Sequence, residues 1–451
     1  MTATIAPSVH VRHKIWKIIQ RWDWLILVAI APVIFFVDAR WALALLVLPL
    51  ILVIEALAWG DLLPITPLNP AILLLTVMVG VSIIVTPDLS DSLGKIAGVL
   101  FGIIVYYCVV RHTRTKEGFK GSLVLLALAG LGLATIGLVG TNWLTVKIIG
   151  LNTLTARLPM LLRGLPGAVN GIHPYELAGA LLWIIPVLFV ASVALLNEPD
   201  WFLGSTSKVY SDFKRFLAWT LFLLVVLLID LGVFILTQSR GGYLAILLTG
   251  LMLMIMIPRR KARWWAIGLL AVIMIGCAII VWQFGWKNIT DQMLSSLPMD
   301  SSNFSVLSLD WRVETWSRAV WAIKDVPLTG LGMNIFRSAV GMLYPTFQFS
   351  AANDLAHAHN ELLQAAVDLG LPGLVAFLAL YVGAIGMLIS AVRSKGAWRL
   401  LTLGLLGGLF AHFIFGVTDA VALGAKPGFL FWWLLGMVCG LYHQTRMEAT
   451  G

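Results

Sequence analysis

The chain has 451 residues, of which 60% are hydrophobic and 12% are charged, and its mean hydropathy is +0.93. Soluble domains carry about a quarter of their residues as charged side chains, so this composition excludes a soluble globular protein. The net charge of +9 does not indicate nucleic-acid binding. The basic residues lie mainly in short loops between apolar segments, where positive charge sets membrane topology.

Apolar segments of membrane-spanning length recur along the chain. About twenty apolar residues cross a hydrocarbon core of about 30 Å, and the backbone must satisfy its hydrogen bonds within each segment. We therefore predict an all-α, polytopic membrane helix bundle with about twelve transmembrane helices. The predicted spans are residues 24–38, 42–59, 71–86, 93–110, 122–139, 177–196, 216–236, 241–257, 264–282, 361–391, 398–418 and 427–442.

The first 23 residues precede the predicted spans and are basic. Residues 9–22 mix isoleucine and tryptophan with lysine and arginine, which indicates an amphipathic helix on the cytoplasmic leaflet. The apolar run that follows resembles a signal peptide. However, residues 38–41 (DARW) form a poor cleavage site, and further spans follow at once, so we predict a retained first span.

Lysine and arginine predict the orientation of the bundle. With the N-terminus inside, the cytoplasmic loops hold the clusters near residues 111–120, 208–215, 259–263 and 393–399. The opposite loops, 87–92, 140–176, 237–240, 283–360 and 419–426, are mostly poor in basic residues. We therefore predict a multi-pass protein of the inner membrane with a cytoplasmic tail at 443–451. Spans 1–9 fall within 24–282 and spans 10–12 within 361–442.

Two outer segments, 140–176 and 283–360, are far longer than the median connection of about four to six residues. Long loops are usually functional, so we expect a site on the periplasmic or exterior face. The cysteines are not part of it: Cys108, Cys277 and Cys439 all lie in apolar segments without a CxxC pair, so neither a disulfide framework nor a zinc site is expected.

Arginines on the outer side work against the topology rule. Arg240 lies in the short turn TQSRGG, residues 237–242, and an ionisable group at the membrane edge indicates function. The alternative is an arginine that reaches the headgroups. Arg312 and Arg318 lie in a predicted amphipathic helix, where local pairing with Asp310 or Glu314 is the alternative. Further candidates are Arg157, Arg163 and Arg337.

His357 and His359 open the tenth predicted span, followed by Asn360. Residues at i and i+2 do not share a helix face, and no acidic or cysteine partner at suitable spacing is evident, so no metal site is predicted. Histidine titrates near neutrality and is the usual general base. A helix cap or a packing role is the alternative.

Polar residues inside the spans are interpreted first as pairs across helices: Glu55, Lys95, Asp230, His412 and Asp419. Lys95 and Asp419 lie at outer ends of their spans, and Lys95 could reach a phosphate. Arginine's planar fork suits phosphate oxygens. The simplest substrates are then an anionic lipid-linked donor and a hydroxyl acceptor.

Three motifs in chain order carry a resemblance. The first is Ser-Arg-Gly at residues 239–241; the second is Arg312 to Trp316 with residues 325–332 and 334–336; the third is His359-Asn360, nine residues, and then GLPG at 370–373. Together they resemble the O-antigen ligase and O-antigen polymerase superfamily of membrane glycosyltransferases, over most of the second half of the chain. Residues 170–179 resemble a looser pattern of that superfamily.

The resemblance implies a multi-spanning helical fold with a large periplasmic loop. It implies a polyprenyl (undecaprenyl) pyrophosphate-linked glycan as donor, a glycan or lipid acceptor, and a metal-independent inverting reaction without a cofactor. By the same resemblance Arg240 and Arg312 bind the pyrophosphate and His359 acts on the acceptor hydroxyl. Other residues expected to contact substrate are Arg318, His357, Asn360, Arg163 and Lys95.

The motifs leave alternatives open. The spacing between His-Asn and Gly-x-x-Gly favours a ligase over a polymerase, which differs in its acceptor. A transporter or flippase of lipid-linked glycans would place cations along a central cavity between two similar halves. Here the cations gather at one face.

Overall fold

A computed structural model describes residues 23–35, 47–59, 63–143, 151–155, 157–162, 171–204, 209–257, 302–346 and 356–450, with a few positions between 263 and 275. The helices are α1 (Asp23–Phe35), α2 (Val47–Trp59), α3 (Asn69–Val85), α4 (Leu89–His112), α5 (Lys116–Gly140), α6 (Leu151–Thr155), α7 (Pro174–Asn197), α8 (Pro199–Leu203), α9 (Val209–Leu236), α10 (Arg240–Met256), α11 (Ser302–Asp325), α12 (Phe336–Leu343), α13 (Glu361–Ala391), α14 (Gly396–Thr418) and α15 (Phe429–Thr450). A 3₁₀ turn, Lys426–Gly428, precedes α15. Within these ranges the only extended pairing is a bridge between Thr141 and Ile172, which confirms the all-α prediction.

Six described helices are long and apolar enough to cross a membrane: Leu89–His112, Lys116–Gly140, Pro174–Asn197, Phe213–Leu236, Glu361–Ala391 and Gly396–Thr418. Each overlaps a span predicted from sequence, so the chain is a multi-pass membrane protein. The total of about twelve spans and the outer position of residues 283–360 stay predictions. The amphipathic segment 9–22 and most of the ninth span, 264–282, lie outside the described residues.

The bundle has a buried centre and a lipid-exposed periphery. In α7 89% of the most apolar window is buried inside the protein, against 33% in α9. Glycines allow the central helices to approach: a Cβ on Gly408 of α14 would lie 2.6 Å from the Trp183 carbonyl oxygen of α7. Small residues of this kind drive close helix packing in membranes, where the hydrophobic effect between helices is weak.

The described part of the outer segment folds onto the start of α13. Its α11 and α12 form a separate hydrophobic cluster with residues 358 and 367. Gly330 and Gly370 meet there, both at positive φ (69° and 70°), and a Cβ on Gly330 would lie 2.6 Å from the Gly370 nitrogen. Gly370 also kinks α13. The glycine motifs of the sequence therefore attach the outer segment to the helix that follows the histidines.

Polar residues in the spans differ in how they are satisfied. His412 of α14 pairs with Glu361 of α13, as expected for a pair across helices. Asp230 of α9 is 0% exposed, and neither carboxyl oxygen has a hydrogen-bond partner among the described residues. It faces Gly130 of α5, where a Cβ would lie 2.5 Å from Oδ2. The Glu55 side chain lies outside the described part of the chain.

Because an unpaired buried polar group costs about 1–3 kcal/mol, we expect Asp230→Ala to raise the free energy of unfolding by that order. The midpoint of thermal unfolding in detergent should rise by a few degrees. Asp230→Asn keeps the shape and an unpaired polar group, so it should give a smaller gain. A lower midpoint for both variants would mean that the carboxyl is held by a stabilising partner.

Candidate active site

The two histidines lie side by side just before α13. Their ring centroids are 4.3 Å apart, and the His359 N–H donates to Nδ1 of His357 at 3.2 Å. His359 has φ +48°, in the left-handed region that non-glycine residues rarely adopt. This turn brings residues at i and i+2 together, which a helix would not do.

Asp419, the residue that follows α14, faces both rings. Its Oδ1 lies 3.2 Å from Nδ1 of His359 and 3.8 Å from Nε2 of His357. The same oxygen accepts the Ala420 N–H at 3.0 Å. The sequence had suggested no acidic partner for the histidines; the fold supplies one from 60 residues further along the chain.

The charges of this cluster are well defined. Burial by itself raises the pKa of Asp419, but the hydrogen bond with His359, the charges of both histidines and the Ala420 N–H together lower it to about 2. Burial lowers the pKa of His357 to about 3, helped by the charges of His359, Lys95 and His173 and opposed by Asp419. At neutral pH Asp419 is therefore ionised and His357 is neutral.

The hydrogen-bond pattern assigns the tautomers. An ionised carboxylate only accepts, so His359 donates through Nδ1–H, and the neutral form of the ring has its lone pair on Nε2. His357 accepts through Nδ1 and directs Nε2–H towards Asp419. The carboxylate of Asp419 therefore fixes the orientation of the His359 ring.

Asn360 is held on both sides of its amide. Its Oδ1 caps α13 by accepting the Leu363 N–H at 2.9 Å, and its Nδ2 donates to the Val417 carbonyl at 2.9 Å. The amide therefore fixes the start of α13 against the end of α14.

Arg240 opens α10 next to this cluster. The Ser239 hydroxyl caps the helix by accepting the Gly242 N–H at 3.2 Å. A Cβ on Gly241 would lie 2.6 Å from the Thr418 hydroxyl oxygen, so glycine allows the turn to touch the residue before Asp419. The Arg240 side chain is exposed.

The two arginines of α11 have different surroundings. Arg312 is partly buried, and its Nε has no hydrogen-bond partner in the described structure. One turn further on, Trp316 Nε1 donates to the His359 carbonyl at 3.3 Å. Arg318 is buried, pairs with Glu314 at 3.0 Å and lies 4.3 Å from the Trp321 ring centroid. The charge of Arg318 is therefore paired locally with Glu314, which agrees with the alternative interpretation of the sequence.

Lys95 of α4 joins the site from another direction. Gly424, at φ +76°, packs directly on the Lys95 carbonyl, which brings the loop after Asp419 onto α4. Lys95 is close enough for its charge to lower the pKa of His357. Burial lowers the pKa of Lys426 and Lys95 lowers it further, against the attraction of Glu176.

Comparison with known families identifies this region. The O-antigen ligase family model matches residues 222–378. Residues 222–378 are similar to that family and are here called the ligase domain. This match confirms the resemblance to the O-antigen ligase and polymerase superfamily, whose members are glycosyltransferase-like enzymes. Among curated proteins, none matches the chain significantly.

The ligase domain contains Arg240, Arg312, Arg318 and the histidine motif, but the site extends beyond it. Lys95 of α4 and Asp419, just after α14, lie outside the matched residues. Arg163 lies outside the described residues, so its predicted contact with substrate stays a prediction.

Sequence reasoning missed Lys426 and Glu176 as neighbours of the site, and it did not connect Asp419 with the histidines. One signal for Lys426 was present: it is a positive charge in an outer loop, the same anomaly that singles out Arg240 in the ligase domain.

A cation could bind among His357, His359 and Asp419, whose ligand atoms all lie within 4.8 Å of one another. Imidazole and carboxylate are ligands that zinc accepts. In the hydrogen-bonded arrangement, however, both ring N–H groups point at Asp419, and a cation would have to displace both protons. Metal independence of the ligase domain therefore stays a prediction.

The low pKa of His357 makes stability depend on pH. The unfolded residue binds a proton near pH 6.5 and the folded one only near pH 3, so acidification favours the unfolded state across that window. His357→Asn removes this titration and keeps a side-chain acceptor for the backbone N–H of His359. Between pH 7.5 and 5.5 we expect wild type to lose about 1.4 kcal/mol more stability than the variant.

The measurement is chemical or thermal unfolding of both proteins in the same detergent at the two pH values. Equal losses in wild type and His357→Asn would mean that His357 has the same pKa in the folded and unfolded protein, contrary to the burial and charges around it.

Proposed function

We propose that the protein transfers a glycan from a polyprenyl pyrophosphate carrier, of the undecaprenyl type, to an acceptor hydroxyl at the outer face of the inner membrane. Transfer is inverting and needs no metal. His359 takes the acceptor proton, Asp419 orients His359, and Arg240 and Arg312 bind the pyrophosphate. The observation that carries the proposal is the His359–Asp419 hydrogen bond, which leaves Nε2 of His359 as the basic atom.

The helix ends support an outer site. α13 begins and α14 ends at the histidine cluster, whereas α13 ends and α14 begins beside Arg393, Lys395 and Arg399. α10 likewise begins at Arg240 and runs towards the basic residues 259–263. Basic loops face the cytoplasm, so the opposite ends of these helices face outwards.

The reaction needs one proton acceptor and a sink for negative charge. As the acceptor oxygen bonds to the anomeric carbon, the bond from that carbon to the pyrophosphate oxygen breaks and its electron pair leaves with the polyprenyl pyrophosphate. The hydroxyl proton passes to Nε2 of His359. The imidazolium that forms is stabilised by Asp419, which is already ionised.

The arginines act on the leaving group. Negative charge on the bridging oxygen grows in the transition state, so fixed cations stabilise that state more than the ground state. At the membrane edge the dielectric is lower than in bulk water, which strengthens this interaction. Arginine keeps its charge in such a setting, and its fork binds phosphate oxygens in pairs.

The experiment is transfer by the purified full-length protein from polyprenyl pyrophosphate glycan to added acceptors, with release of polyprenyl pyrophosphate as readout. We expect release by wild type to persist with EDTA. His359→Ala should lower the rate by about 10²–10⁴-fold, the usual contribution of a general base. Arg240→Ala and Arg312→Ala should each lower it by about 10²-fold or more.

Arg393→Ala is the matched control, because this exposed arginine lies at the other end of the same helix pair. It should leave the rate unchanged. Loss of activity with EDTA, restored by a divalent cation, would contradict metal independence. Translocation of the donor without release would contradict the transferase and favour a flippase.

Asp419→Asn tests the orienting role. The amide can donate to Nδ1 of His359 and so move the proton to Nε2, which removes the base. We expect kcat to fall by about 10–10²-fold with little change in the donor KM, because both arginines remain. An unchanged kcat would show that His359 does not depend on Asp419.

A further inference from the structure

Three successive residues join the start of α13 to the end of α14. His359 bonds to Asp419 at 3.2 Å, Asn360 Nδ2 donates to the Val417 carbonyl at 2.9 Å, and Glu361 pairs with His412 at 3.1 Å. The first two contacts lie at the site. The third lies deeper in the bundle, and the proposed reaction makes no use of it.

The Glu361–His412 pair is sealed from solvent. The side chains of His412 and Glu361 are 0% and 7% exposed. The His412 ring stacks on Trp183 of α7, with centroids 3.8 Å apart and planes at 20°. A Cβ on Gly416 would lie 2.5 Å from Glu361 Oε2, so the helix leaves room for the carboxyl there. The pair therefore joins α7, α13 and α14 around the His412 ring.

The hydrogen-bond partners of His412 show how many hydrogens the Glu361–His412 pair must hold. Nδ1 of His412 faces the Gly179 carbonyl at 3.1 Å, and Nε2 faces the Glu361 carboxyl. A carbonyl only accepts, so Nδ1 carries hydrogen. A neutral ring then has a lone pair on Nε2, which an ionised carboxylate would repel. One further hydrogen must therefore lie between Nε2 and the carboxyl, on either group.

The backbone conformation of His359 indicates a role for the Glu361–His412 contact. His359 has φ +48°, and a non-glycine residue keeps such a conformation only when its surroundings over-determine it. Glu361 is two residues away and its partner is buried, so this bond is protected from the water and substrate that compete for the contacts at the site. The deepest of the three bonds is thus the one best able to hold the turn.

We propose that the Glu361–His412 pair is a positioning element, which holds the His359 turn in its reactive conformation through a shared hydrogen. This inference rests on the proposed function of His359. Neither residue touches substrate; they act through the start of α13.

The test compares Glu361→Gln with Glu361→Leu in the transferase assay. Glutamine supplies the missing hydrogen covalently, as an amide N–H to Nε2, and should keep kcat within about threefold of wild type. Leucine has a similar size and no hydrogen bond. It should lower kcat by about 10–10²-fold, the effect of a misplacement near 1 Å, with an unchanged donor KM.

A double variant separates positioning from stability. In Glu361→Leu/His412→Phe, phenylalanine can keep the stack on Trp183, and an apolar pair can restore the thermal midpoint of a buried polar pair. We expect the midpoint to recover while kcat stays low. Recovery of kcat together with the midpoint would overturn the proposal, as would an unchanged kcat in Glu361→Leu or equal losses in the Gln and Leu variants.

Wild type and His359→Ala are measured alongside. Transfer by wild type that His359→Ala lacks establishes the proposed function whatever the Glu361 variants do. Failure of the positioning role is therefore distinguishable from failure of the transferase.

Discussion

One hydrogen bond, between Asp419 and His359, unites the parts of the site. Asp419 follows α14 and His359 precedes α13, and the two residues lie 60 positions apart in the chain. The loop that starts at Asp419 continues to Gly424, which packs on Lys95. Thr418, the residue before Asp419, contacts Gly241 in the Arg240 turn. The position of Asp419 is therefore linked to those of His359, the Arg240 turn and Lys95.

Charge explains why two histidines two residues apart have different roles. Both face one carboxylate, but burial and nearby cations keep His357 neutral. Nδ1 of His357 accepts a hydrogen bond from the backbone N–H of His359. His359 keeps its basic nitrogen directed away from the carboxylate. Environment, not residue type, therefore distinguishes the two imidazoles.

The sequence predicted the fold class well, because long apolar runs follow a simple physical rule, whereas the outer face of the site stays a prediction. Long apolar runs can only be helices in a membrane, and six described helices overlap the predicted spans. Arg240 stood out because its charge opposed the topology rule. Pairings between distant residues had no such rule: nothing in the chain around His357 points to Asp419, and the local partner of Arg318 was one of two interpretations left open.

The family match covers only part of the candidate site. The matched residues 222–378 supply the arginines and the histidines. Asp419, which faces both histidines, and Lys95, whose charge adds to the effect of burial on the pKa of His357, lie outside the match. The matched residues alone therefore do not hold the whole cluster of His357, His359 and Asp419. In the proposed mechanism, helices on both sides of the matched residues must pack against them before His359 can act, so the chemistry depends on assembly of the whole bundle.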